Sequence, residues 1–178
     1  MCSCSYLFQD FKWKLLSELG CSELPRKPGV YVLRLVEYPG FNRAKIVEKA
    51  VEFLQDIIEK SNWPELQRYL RSRVRRVKRV LNPNCPVLYI GSTEKLSSRC
   101  RDLAGKRHTA FTMILALVLS GAVVELGYVE VESGDQARRL EEDLKAKYRN
   151  IHGILPPLVE KLRTLQSLST FTRYVLMC

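Results

Sequence analysis

The chain is short of histidine, with two in 178 residues, and its six cysteines (Cys2, Cys4, Cys21, Cys85, Cys100 and Cys178) contain no Cys-x-x-Cys. Structural zinc requires four ligands held close together. No such cluster is visible along the chain, and Cys2-x-Cys4 reads as incidental. Long apolar runs are also missing. The longest, residues 110–119, has about half the length that a membrane-spanning helix needs, so no membrane association is expected. The first residues carry no basic stretch leading into an apolar core, which argues against a secretory signal. With scattered thiols, free or partly paired, these absences point to a cytoplasmic protein. No low-complexity tract occurs, and little disorder is expected outside the two ends.

Acid is the other scarcity. Asp and Glu number 19 against 29 Lys and Arg, a formal net charge of +10. Such a surplus concentrates polyanions around the molecule, and nucleic acid is the commonest of these. Apolar content of 46% and charged content of 27% are those of an ordinary globular chain. The length suits one domain with an embellishment.

Leu7, Phe11, Leu15, Leu16 and Leu19 recur at helical spacing before Gly20, which predicts an N-terminal helix of about four turns. Pro25 and Pro28 break the chain, and residues 30–36, β-branched and aromatic, read as a strand closed by Pro39-Gly40. Residues 44–81 carry the pattern of a helical hairpin. Val47, Ala50, Val51, Leu54, Ile57 and Ile58 form its first apolar stripe; Leu66, Leu70, Val74, Val77 and Leu81 form the second. The rest of that second helix is basic (Arg68, Arg71, Arg73, Arg75, Arg76, Lys78 and Arg79), with no acid from 68 to 81. Residues 87–90 predict a second strand, then a short helix capped by Thr93 and running to about Leu103. Residues 110–119 predict a helix apolar on most sides and therefore buried. Residues 123–131 read as a third strand, 136–148 as a helix, and 158–168 as a last helix after Pro156-Pro157. Apart from the hairpin, this is an α+β fold on a three-stranded antiparallel sheet flanked by helices.

Three features stand apart from simple packing rules. Tyr89-Ile90-Gly91 ends a strand with a glycine, so the backbone there can approach a ligand; taken alone, a turn glycine is the commoner explanation. Arg99 lies roughly 65° from the centre of its helix's apolar face, at the core margin. A snorkelling arginine is equally common there. Glu141 lies about 55° from the middle of the stripe Ala137, Leu140, Leu144 and Tyr148. A carboxylate at a core margin needs a partner, and for Glu141 alone that is most often a basic side chain.

In order and spacing these residues resemble the GIY-YIG nuclease family. Lys27-Pro28-Gly29-Val30-Tyr31 resembles its first half-motif and Leu88-Tyr89-Ile90-Gly91-Ser92 its second. Arg99 follows Tyr89 by the family's interval, His108 stands where many members place a histidine, and residues 141–148 resemble the helix bearing the metal-binding glutamate. His152-Gly153-Ile154-Leu155-Pro156-Pro157-Leu158 is similar to the tail of small prokaryotic members. The likeness covers residues 27–38 and 86–160. With the periodicities above, it divides the chain into an N-terminal helix over 1–26, a nuclease-like domain over 27–160 interrupted by the helical insertion at 41–84, and a C-terminal helix or tail over 161–178. Val159 occupies the position of the family's late asparagine.

The implied activity is hydrolysis of DNA phosphodiesters with Mg²⁺ or Mn²⁺. Glu141 is the implied metal ligand and Arg99 the clamp on the scissile phosphate. Tyr31 is the implied base, assisted by Tyr89 and in need of nearby positive charge, with His108 the alternative because imidazole needs no such tuning. Gly29 and Gly91 are the motif's backbone positions. Arg68, Arg71, Arg75, Arg76, Lys78 and Arg79 are the expected DNA-holding face, since uncompensated like charges at helical spacing favour a polyanion. No small-molecule cofactor is expected. The rival readings are a catalytically inactive nucleic-acid-binding module on the same fold, and a scaffold whose helical hairpin docks on a protein. DNA preference, biological role and oligomeric state are not written in the sequence.

Overall fold

In the computed structural model, which describes residues 2–104 and 108–159, the strand read at 30–36 forms as β2 (Gly29–Leu35). Six of its seven residues are buried, as befits an interior strand of β-branched and aromatic residues. It pairs antiparallel on one side with β3 (Val87–Thr93) and on the other with β4 (Val124–Glu130). These three are the strands read from the sequence, shifted by a few residues at their ends.

The predicted N-terminal helix does not form. Its place is taken by a 3-10 turn at Ser5–Phe8 and a strand, β1 (Lys12–Leu15), paired antiparallel with β4. The sheet is therefore four-stranded, in the order β1-β4-β2-β3, rather than three-stranded. The physical reason is the otherwise open backbone edge of β4, whose amides and carbonyls β1 satisfies. Trp13 secures the pairing: the Arg34 guanidinium lies 3.5 Å from its ring centroid and also pairs with Glu125 at 2.7 Å. After β1 the chain turns through Cys21–Glu23, where Cys21 is disulfide-bonded to Cys100.

The hairpin forms as α1 (Arg43–Lys60) and α2 (Pro64–Lys78). Asn42 caps α1 by accepting from the Lys45 amide at 3.0 Å. Exposed Trp63 precedes α2, whose first residue is Pro64. The apolar stripes of both helices join α4 (Phe111–Leu119) and one face of the sheet in a continuous core that includes Tyr31, Leu33, Leu35, Leu126 and Tyr128. On the opposite face, Val30, Val32, Val87 and Ile90 pack against Phe8, Phe11 and the apolar side of α5 (Gly134–His152). The short α3 (Leu96–Ala104) follows β3.

Two burial expectations need correction. Leu115, Val118 and Leu119 of α4 are exposed, because the helix meets α1 and α2 along one side only. Arg73 is buried rather than on the basic face, its guanidinium 4.3 Å from the Tyr69 ring centroid. The predicted helix at 158–168 lies outside the described residues beyond Val159, and Leu158 itself sits in a turn. Among the described residues, no helix is long and apolar enough to cross a membrane.

Candidate active site

β3 is an edge strand, and a cavity of about 730 Å³ opens beside it. Tyr31, Tyr89, Arg99, His108 and Glu141 all line it, drawn from β2, β3, α3, the segment before α4, and α5. The two glycines of the half-motifs make this geometry possible. Gly91 pairs across the sheet with Tyr31, and a Cβ there would stand 2.7 Å from the Tyr31 hydroxyl and 2.6 Å from the Tyr89 ring. At Gly29 a Cβ would meet the Val129 carbonyl at 2.4 Å and Leu96 at 2.8 Å. The first glycine leaves room for two phenols; the second seats the start of α3.

The aromatic groups form one cluster. The Tyr31 and Tyr89 rings stack at 5.8 Å, and the His108 ring lies edge-on to both, at 5.9 and 4.9 Å. His108 Nδ1 accepts from the Ala110 amide at 3.1 Å. In the neutral ring the proton is therefore on Nε2, which donates to the Tyr31 hydroxyl oxygen at 2.7 Å. Burial, reinforced by the Arg99 charge, pushes His108 down to about 4. The expectation that His108 needs no tuning to act as a base is thus corrected: its accepting nitrogen is occupied and its cationic form disfavoured. Burial likewise holds Tyr31 well above the ordinary phenol value, with the Arg99 charge offsetting only part of this. Tyr89 is raised for the same reason, and its hydrogen bond from Tyr31 works against the shift.

Arg99 reaches the cavity from α3 with, among the described residues, one long ion pair, 3.7 Å to Asp102, and no partner for its buried Nε. Glu141 is held from two sides. The Ser92 hydroxyl donates to Oε2 and the Lys145 ammonium, one helical turn on, to Oε1. Lys145 is a buried cation. The ion pair that is the commoner partner for a lone core-margin Glu is therefore present, inside the same cavity. Nothing in the helical pattern distinguishes Lys145 from its exposed neighbours, so its role was not legible; only its spacing of four from Glu141 was a signal.

Charge in the cavity is mostly positive: Arg76, Arg99, Arg138 and Lys145 line it with Glu94 and Glu141. Of the basic face on α2, only Arg76 enters the cavity. Arg68, Arg71 and Arg75 share a separate shallow groove with Pro64 and Gln67. Lys78 is exposed and Arg79 half-buried, and neither is among the residues lining the cavity or the groove. Val159 lines the cavity too, presenting an apolar wall at that position.

No family model, curated protein or solved structure matches the chain.

A different grouping corrects the sequence reading. Cys2, Cys4, Cys85 and His152 bring four potential metal-ligand atoms within 4.8 Å of one another. Separations of 81 and 150 residues hid this cluster, since no spacing rule links such distant positions.

Proposed function

We propose that this protein is a metal-assisted phosphodiesterase that cuts DNA through a site of the GIY-YIG kind. The observation that carries the proposal is the convergence of Tyr31, Tyr89, Arg99, His108 and Glu141 on one cationic cavity. An accidental motif match would scatter these side chains over several faces.

The residues present fit a hard divalent cation. Glu141 is one recessed carboxylate, oriented by Ser92 and Lys145, with lone pairs left over and the hydroxyl-bearing Ser92 and Thr93 alongside. Magnesium keeps most of its waters and needs few carboxylates. When bound, the ion would supply Lewis-acid stabilisation of charge on the leaving oxygen. The Arg99 fork is suited to clamp the scissile phosphate and to stabilise the charge it gains. Tyr31 acts as base in its phenolate form, which the His108 Nε2–H and the Arg99 field stabilise. Because burial raises the phenol value, the phenolate is a minor form near neutrality and its fraction grows as pH rises. Tyr89 orients the attacking water from the stacked position.

Nicking of supercoiled plasmid with Mg²⁺ or Mn²⁺ tests the proposal. Wild type should cut, faster as pH rises, and Glu141→Gln or Arg99→Ala should lose about two to three orders of magnitude in rate while remaining folded. Equal rates in wild type and Glu141→Gln would end it. A second reading, a binding module without catalysis, draws on the apolar Val159 wall and on the lysine already paired with Glu141. That module would shift the mobility of the plasmid and leave it supercoiled.

A further inference from the structure

A second group of chemically capable side chains gathers at the far end of α5. Cys2 Sγ lies 3.4 Å from Cys4 Sγ and 3.6 Å from His152 Nε2, and Cys4 Sγ lies 3.3 Å from Cys85 Sγ. The three cysteines are not disulfide-bonded, and Cys4 and Cys85 are buried. An apolar core has no reason to draw three thiols and an imidazole nitrogen to one point. A tetrahedral ion with bonds of about 2.3 Å to sulfur and 2.0–2.1 Å to nitrogen sets its ligand atoms roughly 3.5–3.8 Å apart. The three separations above lie at or just inside that spacing.

A second observation points the same way. The Tyr148 hydroxyl is buried against Cys85, the group it interacts with among the described residues, and its ring centroid is 4.4 Å from that of His152. A thiolate at Cys85 would be a stronger acceptor for that hydroxyl than a thiol, and the ring already braces the imidazole. Supporting contacts of this kind are usual around metal ligands.

We propose that Cys2, Cys4, Cys85 and His152 form a structural Cys3His site for Zn²⁺. Three soft sulfurs and one imidazole select zinc over the hard, oxygen-seeking magnesium. Four protein donors close the tetrahedron, leaving no position for water or substrate, so the role is structural. Zinc takes the place of the thiol protons, and up to three protons pass to solvent as the three zinc–sulfur bonds form. His152 lies eleven residues beyond Glu141, about 16 Å along the helix axis. The ion therefore pins the end of α5 to the segment entering β3 and to the start of the described chain. It fastens the two elements that carry Glu141 and Tyr89, and it stands whether or not the cavity cuts DNA.

Metal analysis and cobalt titration of the full chain test this. Protein prepared anaerobically with zinc should retain about one zinc per chain after desalting, and chelation should lower its melting temperature. The apo protein should bind one Co²⁺ and develop the visible bands of a tetrahedral thiolate site. Cys4→Ser and Cys85→Ser remove buried ligands and can disturb folding, so Cys2→Ser and His152→Ala, at half-buried positions, are the decisive variants. Each should weaken cobalt affinity on the order of a hundredfold or more, whereas Glu141→Gln should leave it unchanged. Cys2, Cys4 and Cys85 should resist alkylation until a chelator is added. Folded, reduced protein without stoichiometric zinc or a tetrahedral cobalt spectrum would overturn the assignment. So would a disulfide joining two of these cysteines after anaerobic preparation, or a preference for ferrous iron over zinc.

Discussion

At the residue scale the cavity turns on how Glu141 is shared. Ser92 and Lys145 already hold its two oxygens, and in the proposed metal-assisted site a divalent cation would come to rest beside the buried ammonium. Like charges a few ångströms apart in a partly desolvated site repel. Replacing Lys145 with Met should therefore lower the Mg²⁺ concentration for half-maximal cleavage, on the order of tenfold or about 1.4 kcal/mol. An unchanged metal dependence would show that Lys145 does not compete. His108 gives a second prediction. Its unfolded value is about 6.5 and its folded value about 4, so between them the unfolded chain binds more protons. Stability from this residue is complete above about pH 6.5 and declines as pH falls towards 4. Denaturant titrations at several pH values should show His108→Gln losing up to about 1.4 kcal/mol per pH unit of slope in that window. An identical slope in the variant would contradict the burial argument. The five motif residues were legible because order and spacing along the chain are properties of sequence. Lys145 and the cysteine cluster were not, because burial and long-range proximity are properties of packing.

At the scale of elements, α2 divides its arginines among three surroundings. Arg73 is buried, Arg76 faces the cavity, and Arg68, Arg71 and Arg75 line the outer groove. If that groove holds duplex backbone, each arginine removed reduces the counterions released. Replacing all three with Ala should flatten the dependence of log K on log salt by up to about 0.9 per residue, as read from fluorescence anisotropy with a labelled duplex. An unchanged slope would take the groove out of DNA binding. The hairpin itself was readable from its apolar period, since two long amphipathic stripes admit one interpretation. Residues 7–19 were not. Apolar residues at 7, 11, 15 and 19 satisfy a helical count, yet the stretch around Trp13 is short enough for the unpaired edge of β4 to recruit it. Likewise α4 was read as wholly buried, because composition cannot show which side of an apolar helix lacks a neighbour.

At the scale of the whole molecule, the Cys21–Cys100 disulfide joins the turn after β1 to α3, across 79 residues of chain that include the hairpin. In the chain-entropy account a closed loop of that size stabilises the fold by about 4–5 kcal/mol. A Cys21→Ser, Cys100→Ser double variant should melt roughly ten degrees lower than the oxidised wild type, measured by circular dichroism. An unshifted midpoint would mean that the bond adds nothing to the packing around it. Arg99, which lines the cavity, is the neighbour of Cys100, so the bond holds the backbone from which that guanidinium extends. The two tryptophans occupy very different settings on this framework. Trp13 is clasped by Arg34 at the edge of the sheet, whereas Trp63 stands 61% exposed one residue before the arginine-lined groove. Intrinsic fluorescence thus divides into two channels, one reporting closure of the β1 edge and the other quenched or shifted by whatever settles along α2. Single-tryptophan versions of the protein separate folding from occupancy without any added dye.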